Sequence, residues 1–351
     1  MITTLVDDKV YAKIQAINEL YNTGYYGKPI EKKSKLELTL IEAAYLLYRN
    51  KIDIELDNKQ LSFKEFFIIA STRMKYFELK YIVYRDLRER GFFVQPSVTG
   101  FRLYPRGSHP GKGAANRFIE VHTERIGLPL KSLLKSIIVA KNVRKEMILA
   151  IVDEESDITY YDAKMARLKE GGRKFPNINA NASLLEDRVI VWDSELKDAL
   201  HEYFYGKPLD EERLQLSLIE SGYLLEQGVI NIQSDNGDKK MDFNEFAKKS
   251  SEIEPEFFRK YAVYKDLRNK GCVPKTGFKF GTHFRVYGQI DSVSQIPHSE
   301  YLIHAIPSDF IFALPVMSRA IRLAGSVRKR MIFAIPLDEK IEYIDIGRIK
   351  M

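Results

Sequence analysis

Residues 81–91 read "YIVYRDLRERG", and residues 261–271 repeat this pattern as "YAVYKDLRNKG", with seven of eleven positions identical. Three further blocks recur in the same order: "YGKPI" at 26–30 as "YGKPL" at 205–209, "LTLIEAAYLL" at 38–47 as "LSLIESGYLL" at 216–225, and "VRKEMILAI" at 143–151 as "VRKRMIFAI" at 327–335. The offset stays between 178 and 184 residues, far longer than the period of a solenoid repeat. The chain is therefore a tandem duplication of one domain-sized unit.

Each copy begins with helical patterns and continues with apolar runs that are typical of strands. In the second copy, apolar residues at helical spacing predict helices over 213–227, 242–250 and 255–270, and Gly271 is a candidate C-terminal cap. A heavily basic helix is predicted over 318–330. We therefore expect a mixed α/β (α+β) fold, in which each repeat has a small helical or α+β N-terminal lobe followed by an α/β lobe.

The join between the copies has the composition of a linker. Residues 163–183, "AKMARLKEGGRKFPNINANAS", combine a Gly-Gly pair, a proline and several asparagines. The expected order is an N-terminal lobe at 1–75, an α/β lobe at 76–165, a linker at 166–185, a second N-terminal lobe at 186–252 and a second α/β lobe at 253–351.

Composition and charge narrow the classes of function. The 351 residues contain one cysteine, Cys272, which excludes an intrachain disulfide and argues against a cysteine-based zinc site. No apolar run approaches a membrane span, and the N-terminus has no signal-peptide pattern, so we expect a cytoplasmic protein without membrane contact. The net charge of +7 fits a partner that is a polyanion, such as a nucleic acid.

Three residues of the second copy suggest chemistry on RNA. Tyr287 ends a strand-like run, His298 follows in a loop, and Lys329 precedes the run "RMIFAI". RNA carries its own nucleophile, the 2′-hydroxyl, so cleavage needs a base, an acid for the leaving 5′-oxygen and a cation for the transition state. Each of these residues alone is more often structural. Together they would need no metal and no cofactor.

The motifs around these residues resemble the archaeal tRNA-splicing endonucleases of the fused two-repeat, homodimeric type. The likeness rests on "KTGFKFGTHFRVY" at 275–287, "PHSEYLIHAI" at 297–306 and "RAIRLAGSVRKRMIFA" at 319–334, and it covers essentially the whole chain. It implies an α/β lobe like that of restriction endonucleases. It also implies a triad in which Tyr287 is the base, His298 the acid and Lys329 the stabiliser of the transition state.

The same resemblance implies a substrate and further residues. The substrate would be precursor tRNA folded as a bulge-helix-bulge, and the products would carry 2′,3′-cyclic phosphate and 5′-hydroxyl ends. Two arginines, here Arg322 and Arg348, would clamp a bulged base. An acidic run of the first copy would dock into the opposing catalytic repeat of a homodimer. This run comprises Asp153, Glu154, Glu155 and Asp157.

The first copy retains only part of the triad. Tyr104 of "FRLY" matches Tyr287, and Lys145 of "NVRK" matches Lys329. A gapless alignment places Ala115 at the position of His298, with His109 six residues away. We therefore expect the first copy to be a pseudo-catalytic repeat without a general acid.

Two alternatives remain open at the level of sequence. One is a catalytically silent RNA-binding or scaffold subunit that needs another chain to cut. The other is a metal-dependent nuclease on a restriction-enzyme-like fold. The stretch "GSHPGKG" at 107–113 resembles a phosphate-binding loop, but it has three residues between its glycines where the P-loop needs four. It is therefore read as a basic loop, with Arg106, Lys112 and Arg117 able to contact RNA.

Overall fold

The computed structural model describes residues 1–168, 175–233, 240–288, 298–338 and 340–351. Residues 169–174, which are part of the predicted linker, and Glu339 of the stretch "PLDEKIE" at 336–342 lie outside the described residues. The described chain forms two compact units. The first comprises Met1–Lys164, Ile311–Ser318 and Gly347–Met351, and the second comprises Met165–Phe310 and Arg319–Ile346. In the part of the chain that the structure describes, no helix is both long and apolar enough to span a bilayer.

The first unit begins with a six-stranded sheet of order β3-β4-β2-β1-β5-β6. Its strands are β1 Ile2–Val6, β2 Lys9–Lys13, β3 Lys28–Ile30, β4 Lys35–Thr39, β5 Asp53–Leu56 and β6 Lys59–Leu61. The helical elements are a π-helical turn at Ile17–Tyr21, α1 Asn22–Gly24, a 3-10 turn at Glu31–Lys33, α2 Leu40–Tyr48 and α3 Phe63–Arg73. The N-terminal lobe, which the sequence predicts to be helical or α+β, is therefore α+β.

The α/β lobe of the first unit has five strands in the order β12-β11-β9-β8-β7, with β11 parallel to β9. Its elements are α4 Phe77–Glu89, β7 Val94–Pro96, β8 Gly100–Leu103, β9 Arg117–Thr123, β10 Leu128–Pro129, α5 Leu130–Asn142, β11 Glu146–Val152 and β12 Ile158–Met165.

The second unit repeats this plan. Its N-terminal lobe contains β13 Ala180–Leu185, β14 Arg188–Val191, α6 Ser194–Glu202, β15 Lys207–Pro208, β16 Leu214–Leu216, α7 Leu218–Glu226, β17 Ile230–Gln233, β18 Lys240–Met241 and α8 Phe243–Ile253. The strand order is β15-β16-β14-β13-β17-β18. Strand β13 occupies the last six residues of the segment assigned to the linker.

The α/β lobe of the second unit has the strand order β19-β20-β21-β23-β24, with β21 parallel to β23. The remaining elements are α9 Phe257–Asn269, β19 Val273–Thr276, a 3-10 turn at Phe278–Phe280, β20 Phe284–Tyr287, β21 Tyr301–Ala305, β22 Ile311–Phe312, α10 Leu314–Ser326, β23 Arg330–Pro336 and β24 Ile341–Ile349. Strand β22 pairs with β10 within the first unit. The mixed α/β class and the duplication are therefore confirmed.

The helices begin and end at matching signals in the two repeats. Helices α2 and α7 start with capping boxes, Thr39 with Glu42 and Ser217 with Glu220, and α3 and α8 start with the same device. Helices α4 and α9 are each followed by a glycine with positive φ, at +85° for Gly91 and +76° for Gly271. The predicted cap at Gly271 therefore matches the backbone.

The repeated sequence blocks contact one another inside each unit. In the first unit, Arg88 lies over the Tyr26 ring at 3.9 Å, and the Gly27 amide donates to Glu42 at 2.8 Å. In the second unit, Arg268 lies over the Tyr205 ring at 4.0 Å, and Glu220 takes the place of Glu42. These blocks recur because they build the junction between the two lobes of a repeat.

Each unit has one continuous apolar core that runs from its N-terminal lobe into its α/β lobe. In the first unit this core joins residues such as Leu36 and Phe66 to Phe77 and Ile148. In the second it joins Leu216 and Phe246 to Val286 and Ile332. The lobes of one repeat are therefore parts of one folding unit, and they fix the sheet edge on which the candidate site lies.

Candidate active site

The candidate site lies at one edge of the sheet in the second α/β lobe. Tyr287 is the last residue of β20, which runs antiparallel to β21. The segment from His298 leads into β21, and Lys329 immediately precedes β23, which is parallel to β21. The end of β20 and the beginnings of β21 and β23 therefore meet at the same edge. This topology brings together the three segments that carry Tyr287, His298 and Lys329.

Hydrogen bonds fix these segments to one another. The Lys329 Nζ donates to the Ser299 carbonyl at 2.7 Å, which holds the ammonium beside the backbone of His298. The Glu300 amide donates to the Val286 carbonyl at 3.0 Å, next to Tyr287, and the Arg330 amide donates to the Glu300 carbonyl at 3.3 Å. His298 itself is exposed, Tyr287 is half-buried, and Ser299 is buried. The site is thus a hydrogen-bonded backbone edge with an exposed imidazole.

The position of Lys329 differs from the sequence prediction. Helix α10 ends at Ser326, so only Arg319 and Arg322 of the five basic residues in 318–330 lie on it. The chain leaves the helix through Arg328 at a φ of +56°, which carries Lys329 toward β21. Arg330 pairs with Asp345 at 2.8 Å. The prediction of a single basic helix over 318–330 is therefore wrong, because the turn that ends the helix is what aims Lys329 at the site.

Arg322 and Arg348 are both exposed, and no carboxylate partner for either lies among the described residues. Arg322 is on α10 within the second unit, whereas Arg348 lies near the end of β24 within the first unit. Each guanidinium is accessible to a ligand. Their joint action on a base stays a prediction.

The first repeat has an equivalent edge, and strand register corrects its alignment. Leu103 pairs with Arg117 as Val286 pairs with Tyr301, so Tyr104 is equivalent to Tyr287. The Lys145 Nζ donates to the Ala115 carbonyl, which makes Ala115 the counterpart of Ser299. His298 therefore corresponds to Ala114, and the gapless alignment to Ala115 was off by one, because the intervening loop of the first repeat is one residue shorter. With this corrected alignment, the first repeat still has no histidine at the position of His298.

The tyrosine and histidine of the first repeat are both engaged elsewhere. The Tyr104 hydroxyl donates to the Gln95 Oε1 at 2.8 Å, and its side chain is buried. Burial raises the pKa of Tyr104, so less of this phenol is ionised to the phenolate that could accept a proton. His109 stacks on Tyr25 with ring centroids 4.5 Å apart, and its Nδ1 accepts from the Gly111 amide. The "GSHPGKG" loop is thus tied to the N-terminal lobe by its histidine.

The acidic run lies at the exposed turn between β11 and β12. The Asp153 Oδ1 accepts from the amides of Glu155 at 3.0 Å and Asp157 at 2.8 Å, so Asp153 builds the turn. Glu154 pairs with Arg125 at 3.0 Å. Within the described chain, the carboxylates of Glu155 and Asp157 have no cationic partner. These two side chains are therefore available to a partner molecule.

A set of ionisable residues beside Tyr287 was missed by the sequence reasoning. Lys275 pairs with Glu220 at 3.1 Å, and Arg285 lies 5.8 Å from the Tyr287 ring centroid. Burial alone would raise the pKa of Glu220, but the Lys275 ammonium and the Ser217 amide together lower it. The available signal was the strand alternation in "FRVY", which places Arg285 and Tyr287 on the same face.

The described residues contain no group of three or more His, Cys, Asp and Glu side chains arranged to hold a metal ion. Lys329 is a cation at this edge, and Arg328 and Arg330 flank it in the sequence. The arrangement supplies a phenol, an imidazole and an ammonium around one accessible edge. These groups suffice for a proton acceptor, a proton donor and a fixed positive charge.

Comparison with known protein families places this duplicated architecture among endonucleases. The model for the tRNA intron endonuclease catalytic C-terminal domain matches residues 77–160 and again 257–343. The model for the N-terminal domain of the same family matches residues 1–67 and 180–247. The matched ranges follow the two repeats, and the second N-terminal match begins inside the segment predicted as linker.

Whole-chain relatives agree with the family models. A "tRNA-splicing endonuclease" of Methanococcoides burtonii is 62% identical over 100% of both chains. Proteins of the same name from Methanosarcina mazei and Natronomonas pharaonis are 57% and 36% identical, over 99% and 94% of both chains. The chain therefore belongs to the tRNA intron endonuclease family. The enzyme class and the resemblance seen in the sequence motifs are confirmed.

Proposed function

We propose that the chain cuts introns out of precursor tRNA at bulge-helix-bulge motifs by metal-independent attack of the RNA 2′-hydroxyl. The observation that carries this proposal is the single sheet edge on which the segments of Tyr287, His298 and Lys329 meet. The substrate class is supported by the names of the relatives and by the net positive charge.

The proposed chemistry follows from the three side chains. Tyr287, in its phenolate form, takes the 2′-hydroxyl proton and becomes the phenol, while the 2′-oxygen attacks the adjacent phosphorus. The bond from phosphorus to the 5′-oxygen breaks as His298 donates a proton to that oxygen. The Lys329 ammonium, fixed by the Ser299 carbonyl, opposes the charge on the phosphoryl oxygens. The products are a 2′,3′-cyclic phosphate and a 5′-hydroxyl.

The assembly proposed for this reaction is a homodimer. The exposed carboxylates of Glu155 and Asp157 in the first repeat would dock on a basic surface of the partner copy. A duplicated chain with one complete triad then supplies two active sites per dimer, which matches the two cuts that remove an intron. The cytoplasmic location and the lobe boundaries stay predictions.

The test is cleavage of a model bulge-helix-bulge RNA by the purified chain alone in EDTA, with the ends of the products analysed. We expect cuts at two sites with cyclic phosphate and 5′-hydroxyl ends. Cleavage that needs a divalent metal and leaves 5′-phosphate ends would overturn the mechanism. Binding without any cleavage would favour the silent RNA-binding subunit.

A further inference from the structure

A cavity of about 730 Å³ adjoins the tyrosine of the second repeat and plays no part in the three-residue mechanism. Tyr287 contributes to its wall together with Lys207, Lys275 and Arg285, and Phe278 lies on its wall with 87% of its surface exposed. A volume of this size is typical of small-molecule sites and accommodates one nucleotide.

The charges on the cavity wall are incompletely balanced. Lys275 and Arg285 are direct partners across β19 and β20, an arrangement in which two like charges oppose each other. Glu220 neutralises Lys275, at 3.1 Å. Arg285 has no carboxylate partner within the described chain, and its buried Nε has no hydrogen-bond acceptor there. An unpaired buried donor is unfavourable until an acceptor binds.

The orientation of the arginine points to an anion next to the reaction centre. Arg285 and Tyr287 are two residues apart on one strand, so their side chains share a face, and the guanidinium lies 5.8 Å from the phenol ring centroid. Phe278 begins the 3-10 turn at Phe278–Phe280, and its side chain is largely exposed. An aromatic ring beside a cation is the combination that binds a base and its phosphate in single-stranded RNA.

The first repeat lacks this cavity chemistry. Gln95 stands opposite Arg102 where Lys275 stands opposite Arg285. Tyr25 and Phe93, the counterparts of the cavity residues Phe204 and Val273, contact His109 of their own repeat, with ring centroids at 4.5 and 5.7 Å. The catalytic repeat therefore has an open, more basic space where the pseudo-catalytic repeat packs its own loop.

We propose that the cavity beside Tyr287 binds one nucleotide of the RNA substrate adjoining the cut, with its phosphate on Arg285 and its base against Phe278. This subsite rests on the proposed function, because it assumes that RNA reaches Tyr287. The subsite would hold the RNA strand in register, so its loss should weaken RNA binding more than it slows the chemical step.

The test measures RNA affinity as a function of salt in a chain that also carries His298→Ala, so that binding is read without cleavage. The probe is the model bulge-helix-bulge RNA. We expect Arg285→Ala to weaken binding about tenfold and to reduce the slope of log affinity against log salt by about 1, as for one lost phosphate contact. Phe278→Ala should weaken binding about tenfold with the slope unchanged.

Matched variants separate the subsite from a general loss of structure. Arg102→Ala, at the equivalent position of the first repeat, should leave affinity and slope unchanged. Arg285→Lys keeps the charge and should recover most of the binding, while thermal unfolding reports whether each variant is folded. An unchanged affinity and slope for both Arg285→Ala and Phe278→Ala would overturn the subsite.

A second measurement, the steady-state kinetics of cleavage, distinguishes the nucleotide subsite from the proposed function. With His298 restored, Arg285→Ala should raise KM about tenfold and leave kcat within about threefold. A fall in kcat alone would assign Arg285 to Tyr287 rather than to a nucleotide, and would overturn the subsite. The mechanism itself fails if His298→Ala cuts normally or if cleavage needs a divalent metal and leaves 5′-phosphate ends, whatever the cavity variants do.

Discussion

The two repeats present the same tyrosine and the same lysine at equivalent sheet edges, and they differ in what surrounds them. In the first repeat, Tyr104 is buried against Gln95, and Ala114 occupies the position that corresponds to His298. In the second, Tyr287 lines an open cavity, and His298 is exposed. Duplication has preserved the scaffold, so each catalytic variant has a control inside the same chain.

The lysines make this point most clearly. Lys145 and Lys329 both donate to the carbonyl of the residue just after the position of the acid, Ala115 and Ser299. Their shared structural task is to tie the entry of one strand to that of its neighbour. Only in the second repeat does that carbonyl follow a histidine. The presence of the lysine alone therefore does not identify a working site.

The largest expected difference in cleavage rate is between the variants His298→Ala and His109→Ala. His298→Ala should lower the cleavage rate about 10³-fold, because a positioned general acid contributes on the order of 10²–10⁴. His109→Ala should leave the rate within about twofold, since His109 stacks on Tyr25 in the first repeat. The measurement is single-turnover cleavage of the model RNA. Equal loss in both variants would show that the repeats share one catalytic role.

The next largest difference in cleavage rate is expected between variants of Lys329 and Lys145. Lys329→Ala should lower cleavage about 10²-fold through loss of the fixed charge, whereas Lys145→Ala should leave it within about twofold. Both variants lose the same hydrogen bond to a loop carbonyl, so both should lower Tm by a similar amount. Cleavage rates and thermal unfolding are measured side by side. A matching loss of activity in Lys145→Ala would reduce the role of Lys329 to structure.

The candidate residues of the site could be predicted from the sequence more readily than the residues that surround them. The duplication and the motifs of Tyr287, His298 and Lys329 are local and could be read directly. Lys275 and Arg285 face each other because β19 pairs with β20, and no local sequence pattern specifies this pairing. The strands of the N-terminal lobes were missed because several are short, such as β15 with two residues, so period-two alternation hardly develops.

A stability difference follows from the buried carboxylates of the two repeats. Burial raises the pKa of Glu42 despite hydrogen bonds from Gly27 and Thr39, while Lys275 helps to lower the pKa of Glu220 below its usual value. The charge of Glu220 therefore adds stability above its unfolded pKa of about 4, and this is lost as pH falls through the lowered value. For Glu42 the sign is opposite, because its contribution is present at low pH and is lost as pH rises.

Lys275→Ala tests this difference. At pH 7 it should lower the free energy of unfolding by about 2–3 kcal/mol, because it leaves a buried charge without its partner. The loss should shrink at a second, acidic pH below the lowered pKa of Glu220, where this carboxyl group is protonated. Gln95→Ala, at the equivalent position, should cost about 1 kcal/mol with little pH dependence, through the Tyr104 hydrogen bond. Urea unfolding at both pH values is the measurement, and a pH-independent loss in Lys275→Ala would contradict the assignment.

The smallest expected effect concerns the turns that follow β11 and β23. Glu155→Gln combined with Asp157→Asn removes two exposed carboxylates of the first repeat and leaves Asp153, which builds the turn, and the pair of Glu154 with Arg125 intact. If this turn docks on a partner copy, dimer affinity should fall about tenfold, and more at low salt than at high salt, because exposed charges are screened. Sedimentation over a range of protein concentrations measures this change.

The matched control, Asp338→Asn with Glu342→Gln in the second repeat, should leave the dimer unchanged, since Glu342 pairs with Lys340 of its own turn. Equal effects of the two double variants would mean that net charge, rather than the turn of the first repeat, governs association. The two repeats would then differ in function only at the active-site edge.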